Sequence, residues 1–272
     1  MNLAAISPAR LASRSLPALL LLSPATAYAA RQTPAVETFE RTVPLASGGS
    51  FSISNVNGSI EIAGWNRDEV QIFARKITSG RAESLRDVQI TLDATPARVS
   101  VATHYPEGSG VEVHVEFRVR VPARIRLASV STINGTVAVE DVSGEGSLST
   151  VNGNVTLARA AGLFSARSTN GSISLEFLSL TGGLASEPAS ASWTSLFAQT
   201  INGSVAVALP AGAGAELDAE TRNGDFSSEV PLLASTTSAG RSIHGRLGSG
   251  GPLLRLRTVN GSIRLQISRP LV

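Results

Sequence analysis

The chain has 272 residues, 23 Lys and Arg against 21 Asp and Glu, and no cysteine. Arg10 and Arg14 fall in the first thirty residues, which hold no acid, so residues 31–272 carry 21 charges of each sign. The absence of cysteine excludes a disulfide framework and a lipidated cysteine, and the balanced charge with no basic patch excludes a nucleic-acid partner.

The first element reads as a secretory signal peptide over residues 1–30. Arg10 and Arg14 form its basic region, Leu16–Leu22 its apolar region and Ala27-Tyr28-Ala29 its small-residue cleavage site. The apolar stretch falls short of the roughly 20 residues of a spanning helix. The expectation is an exported protein, periplasmic or extracellular, with no stable transmembrane segment after cleavage.

Residues 31–127 read as a less regular N-terminal β region or cap. Strand-like runs fall at Ser50–Val56, Ser59–Ala63, Glu69–Lys76, Asp87–Leu92, Arg98–Thr103 and Val111–Val121. The last alternates cleanly, with Val111, Val113, Val115, Phe117, Val119 and Val121 on one face. Arg81–Arg86 has room for one helical turn.

Residues 128–272 read as a repeat domain. One frame, small polar, any residue, Asn, Gly, small polar, apolar, recurs at Asn57-Gly58, Asn134-Gly135, Asn152-Gly153, Asn170-Gly171, Asn202-Gly203, Asn223-Gly224 and Asn260-Gly261. Asn and Gly tolerate positive φ, so each pair predicts a corner between strands. On that reading Asn152→Ala costs about 1–2 kcal/mol by forcing a β-carbon into left-handed geometry, while a change at His244 costs nothing. Asn134, Asn152 and Asn170 are 18 residues apart, and Val137, Val155 and Ile173, Val139, Leu157 and Leu175, and Val142, Ala160 and Leu178 keep the same phase. Thr132, Thr150 and Ser168 precede the corners in step, and Asp141-Val142-Ser143-Gly144 signals a second turn between them.

The predicted fold is therefore all-β: a parallel β-solenoid, with each unit burying its apolar face on the next and the Asn side chains stacked in a ladder. An antiparallel meander or β-sandwich is the alternative, because Asn-Gly is also a strong hairpin signal. Spacing loosens after Asn170. An excursion is expected at Ser179–Ser192, a longer turn at Pro210-Ala211-Gly212-Ala213-Gly214, and a loop around a cryptic rung at Leu233–Pro252.

The segment from Phe51 to Trp65, the run Val119-Arg120-Val121-Pro122, the Thr-x-Asn-Gly frames and the closing Leu254–Ile263 together resemble a family of bacterial exported proteins of unknown function known as candidate adhesins. The resemblance covers most of the chain beyond the leader. It implies a solenoid-like fold and an envelope or surface location, and brings no catalytic residues.

Chemistry is sparse in the sequence. His104, His114 and His244 lack neighbours at metal-ligand spacing, so no metal and no cofactor is expected. Arg241, His244 and Arg246 form a candidate binding loop for a small anion or glycan; the alternative is a loop without a ligand. An 18-residue shift sets Glu140 beside Ala158, Asp141 beside Arg159 and Glu145 beside Leu163, so no column of acids forms for glycoside chemistry. Asp218 and Glu220 read as surface charges near Arg222 and Asp225. The expectation is a non-enzymatic envelope or surface binding module for a glycan or an envelope protein. The alternatives are a polysaccharide-active β-helix enzyme and an envelope-sensing module that pairs through a strand edge.

Overall fold

Alternating apolar residues build strands with one buried face, and twenty of them occupy most of the described residues. The computed structural model describes residues 34–106, 112–180, 195–237 and 242–268. The predicted signal peptide over residues 1–30 and all but the first two residues of the excursion expected at Ser179–Ser192 lie outside these residues. β1 (Ala35–Pro44), β2 (Ser50–Ser54), β3 (Ile60–Trp65) and β4 (Glu69–Thr78) precede a one-turn helix, α1 (Ser84–Asp87). β5 (Gln89–Thr95), β6 (Arg98–His104) and β7 (Val113–Pro122) follow. The repeats supply β8 (Arg124–Asn134), β9 (Val137–Glu140), β10 (Ser143–Asn152), β11 (Val155–Arg167) and β12 (Ile173–Ser179). Then come β13 (Ser195–Gln199), β14 (Val205–Leu209), β15 (Ala215–Asn223) and β16 (Phe226–Ser228). The last four are β17 (Leu232–Thr237), β18 (Ser242–Leu247), β19 (Leu253–Asn260) and β20 (Ile263–Ile267).

The protein is all-β with mixed strand pairing. Two ladders account for it. In the first, β6, β2, β8, β10, β11, β13, β19 and β15 pair in that order, all parallel. In the second, β7, β3, β9, β11, β12, β14, β20 and β16 do the same. β11 is long enough to serve both, through residues 155–161 in the second and 161–167 in the first. Antiparallel strands flank the parallel runs. β5 lies on β6, and β4 then β1 lie beyond β7. β18 and β17 extend from β15.

Side chains from both ladders meet in one core. Phe51, Ile53, Ile60, Ile62, Phe117, Leu127, Leu148, Phe164 and Phe177 are almost wholly buried. Each contributes about 1.5–3 kcal/mol relative to exposure. Leu85 of α1 and Val88 are buried at the end where β1 and β4 lie, and Ile243 and Leu247 of β18 are buried at the other. Near the first end the Tyr105 hydroxyl donates to the Val113 carbonyl at 3.0 Å. Burial pushes its pKa up to about 12, against the opposing effect of a backbone hydrogen bond at Asn57.

Four expectations need correction. No Asn of the seven frames has positive φ; among the described non-glycine residues Asp141 and Arg159 alone do, at 58° and 51°. Of the frame glycines, Gly58, Gly203 and Gly261 do have positive φ, but what requires glycine in all seven frames is proximity. A β-carbon on Gly153 would overlap the carbonyl oxygen of Gly135, and one on Gly171 that of Gly153. Second, the non-glycine residues in left-handed geometry, Asp141 and Arg159, sit at the other turn of the unit. Third, the phase linking Val142, Ala160 and Leu178 fails at its last member. The register shifts so that Ala160 faces Phe177, which is buried, while Leu178 is 58% exposed. Fourth, the described residues of the segment 233–252 form no parallel rung. β17 and β18 form an antiparallel hairpin there, and its inward Ile243 and Leu247 join the core.

Candidate functional site

The seven Asn-Gly frames come together in one stack. Asn134 donates through its amide to Asn57 at 2.7 Å. Asn152 donates to Asn134, Asn170 to Asn152, Asn202 to Asn170, Asn260 to Asn202 and Asn223 to Asn260, each at 2.8 Å. Beside this row, each buried hydroxyl two residues earlier donates to the frame glycine of the neighbouring unit. Thr150 reaches the Gly135 carbonyl at 2.8 Å, Ser168 that of Gly153 at 2.9 Å and Thr200 that of Gly171 at 2.7 Å. Asn55 replaces the hydroxyl in the first frame. Its amide donates to the carbonyls of Gly58 and Val115 and its oxygen accepts from Thr103. The carbonyls and amides at these corners are thus consumed by stacking, leaving little for a ligand.

The candidate binding loop is differently placed. Arg241 lies outside the described residues. His244 and Arg246 are on strand β18, opposite Asp218 and Glu216 of β15. His244 Nδ1 is 3.4 Å from Asp218 Oδ1, and Arg246 Nε donates to Glu216 Oε1 at 2.8 Å. Asp218 also accepts from Arg255 at 3.1 Å. Arg255 and Arg257 went unnoticed in the sequence. Their alternation with Leu254 and Leu256 signals an outward strand face, but only strand pairing shows that Asp218 lies across from Arg255. The basic groups here already hold carboxylates, which leaves weak purchase for an anion.

A groove lies on the outer face of the second ladder, where β1, β4, β7, β3, β9 and β11 run side by side. Its volume is about 540 Å³, within the span of small-molecule sites. Ala63, Ala138 and Ala158 form a low floor, with Phe73 at one side. They share a face because side chains alternate along each strand: Ala63 is registered with Arg120 and Glu140, and Glu61 with Arg118 and Ala138. Arg118 Nε donates to Glu61 at 3.1 Å. Gln71 donates to Glu40 at 3.3 Å. Glu140 accepts from Arg159 at 2.8 Å. Arg159 also grips Asp141 with two bonds, at 2.7 and 2.6 Å. Those hydrogen bonds hold the Asp141 carboxyl below the usual carboxylate range and raise Arg159 above its ordinary value. Sequence reasoning paired Asp141 with Arg159 by phase but missed the groove, since Phe73, Arg118 and Ala138 come from strands far apart in the chain.

Among the described residues no group of three or more His, Asp or Glu side chains is gathered closely enough to hold a metal ion. No helix among them is long and apolar enough to cross a membrane. No protein-family model matches the chain, and no curated protein matches it. Several solved structures are similar. A candidate cell adhesion protein from Clostridium sporogenes aligns with TM-score 0.41 and 11% identity over 85% of this chain and 100% of that one. A candidate adhesin from Bacteroides fragilis gives 0.30 and 9% over 84% and 97%. A candidate lipid binding protein from Parabacteroides distasonis gives 0.23 and 8% over 84% and 96%.

Proposed function

We propose that the protein is an exported, non-enzymatic binding module of the cell envelope or surface, built as a β-solenoid, and that it holds a glycan in the groove floored by Ala63, Ala138 and Ala158. The solenoid reading rests on the parallel register that repeats from Asn134 to Asn152 to Asn170. The export reading rests on the basic, apolar and small-residue sequence of the first thirty residues. The observation that carries the binding reading is the groove's lining: an aromatic ring beside a flat alanine floor, rimmed by the Glu61–Arg118 pair and the Gln71 amide. Sugars present C–H faces to aromatic rings and hydroxyls to such polar pairs. Arrayed oligosaccharides should retain the protein, and Ala138→Arg, which fills the floor from the solvent side, should abolish retention without lowering Tm. Retention unaffected by Ala138→Arg would rule the groove out.

A second reading draws on the carboxylates of Glu40, Glu61 and Glu140 in the same groove, the kind of gathering that polysaccharide cleavage needs. It predicts release of reducing ends from a bound polysaccharide, lost in Glu61→Gln and Glu140→Gln. The binding reading is preferred because each of these carboxylates already has a hydrogen-bond donor on it.

A further inference from the structure

We propose that the groove selects a sugar bearing a single carboxylate, and that Arg120 is the residue that reads this charge. The inference rests on the glycan reading of the groove. Arg118 is spent on Glu61 and Arg159 on Glu140 and Asp141. Arg120 has neither an ion pair nor a hydrogen bond from its side chain to any described residue. Its cross-strand neighbours are Gln71 on one side and Ala63 on the other, and neither carries charge.

Its guanidinium is nevertheless held. It lies over the Trp65 ring at 5.8 Å, and Arg67 lies over the same ring at 4.9 Å. The indole N–H donates to the Glu69 carbonyl at 2.9 Å, so the ring itself is anchored. A guanidinium over an aromatic ring still presents a planar fork of donors, which matches a carboxylate with two parallel hydrogen bonds. A neutral sugar has no need of such a group.

The surrounding charges choose among anions. Glu40, Glu61 and Glu140 stand around the floor. Glu61 and Glu140 are paired with Arg118 and Arg159, so Glu40 is the carboxylate there without a basic partner among the described residues, and it repels a dianionic phosphate about twice as strongly as a monoanion. A uronate ring satisfies both demands: its carboxylate reaches Arg120 while its C–H face lies on the alanine floor towards Phe73.

The test uses calorimetry on the secreted chain with four probes: a glucuronosyl-glucose disaccharide, its methyl ester, cellobiose and cellobiose 6-phosphate. The expected result is that the free acid binds at least tenfold more tightly than the ester, cellobiose or the phosphate. Arg120→Gln should bring the acid down to the affinity of the ester with the ester unchanged, and Arg120→Lys should recover part of the preference. Equal binding of acid and ester, a preference that survives Arg120→Gln, or tighter binding of the phosphate would overturn the assignment of Arg120 while leaving a glycan groove in place. Failure of all four probes to bind would overturn both.

Discussion

Asn223 donates its side-chain amide to Asn260 at 2.8 Å, and Asn260 in turn donates to Asn202. The latest frame in the chain is therefore interior to the stack, between two earlier ones. β19 lies between β13 and β15, and β20 between β14 and β16. The same inversion occurs near the N-terminus, where β2 lies between β6 and β8 and β3 between β7 and β9.

This order makes the C-terminal strands a structural keystone. Ending the chain at Pro252 removes Leu254, Leu256, Ile263 and Leu265 from the core and strips the facing edges of four strands. The expected outcome is loss of cooperative thermal unfolding by circular dichroism across the whole domain. A truncated chain that keeps a sharp transition near the wild-type Tm would show the terminal rung to be peripheral.

Two glycines separate proximity from conformation. Gly171 needs no positive φ, but a β-carbon there would overlap the Gly153 carbonyl oxygen; Gly212 has φ of 79° and nothing within 4 Å. Gly171→Ala should cost about 3 kcal/mol, the upper part of the range for overpacking. Gly212→Ala should cost about 1 kcal/mol, from left-handed strain alone. Urea denaturation of the two variants should rank them in that order.

The corner frame has a buried and an exposed hydrogen bond, and they should differ in worth. Thr150 is 5% exposed and its hydroxyl satisfies the Gly135 carbonyl. Thr150→Val leaves that acceptor without this donor, at about 1–3 kcal/mol. Asn152 is exposed; its amide donates to Asn134 and its oxygen accepts from Asn170. Water can replace both partners at this exposed site, so Asn152→Ala should cost no more than about 1 kcal/mol. Equal losses in equilibrium unfolding would contradict the ranking.

The Asp141–Arg159 pair should leave a mark in acid. The folded-state pKa of Asp141 is depressed, chiefly by its hydrogen bonds from Arg159. Its contribution is therefore present above the unfolded carboxylate pKa of about 3.9 and lost as pH falls through the lower folded value. Both partners are partly exposed, so the effect is within about 1 kcal/mol. Melting curves between pH 6 and pH 2 should show a shallower fall for Asp141→Asn than for wild type. A parallel fall would show the pair to be stabilising nothing.

Arg159 also sits at φ of 51°, unfavourable for a residue with a β-carbon. Arg159→Gly removes that strain of about 1–2 kcal/mol while Arg159→Ala keeps it, and both lose the same ion pair. The glycine variant should therefore be the more stable by about 1 kcal/mol in chemical denaturation.

The short-range pattern was largely legible in the sequence. Alternation places β2 through β7 within a few residues of their observed limits, because an inward apolar residue every second position leaves a signature independent of the partner strand. β1 escaped notice because as an edge strand it buries neither face well, and its residues are mostly exposed. The β17–β18 hairpin escaped notice because Ser235, Thr236, Thr237 and Ser242 read as loop, and it is a strand only through its pairing with β15.

What the sequence determined by itself is the repeating unit: its length, the inward apolar positions, and the Thr and Asn that stack at each corner. These follow from local alternation and from a period that recurs in the chain. Only the tertiary structure decided which unit lies beside which, why the frame needs glycine, and that Phe73, Arg118, Arg120 and Glu140 share a groove. Those are consequences of contact across the ladders between strands tens of residues apart, where the close approach of one backbone to another fixes geometry that no single strand encodes.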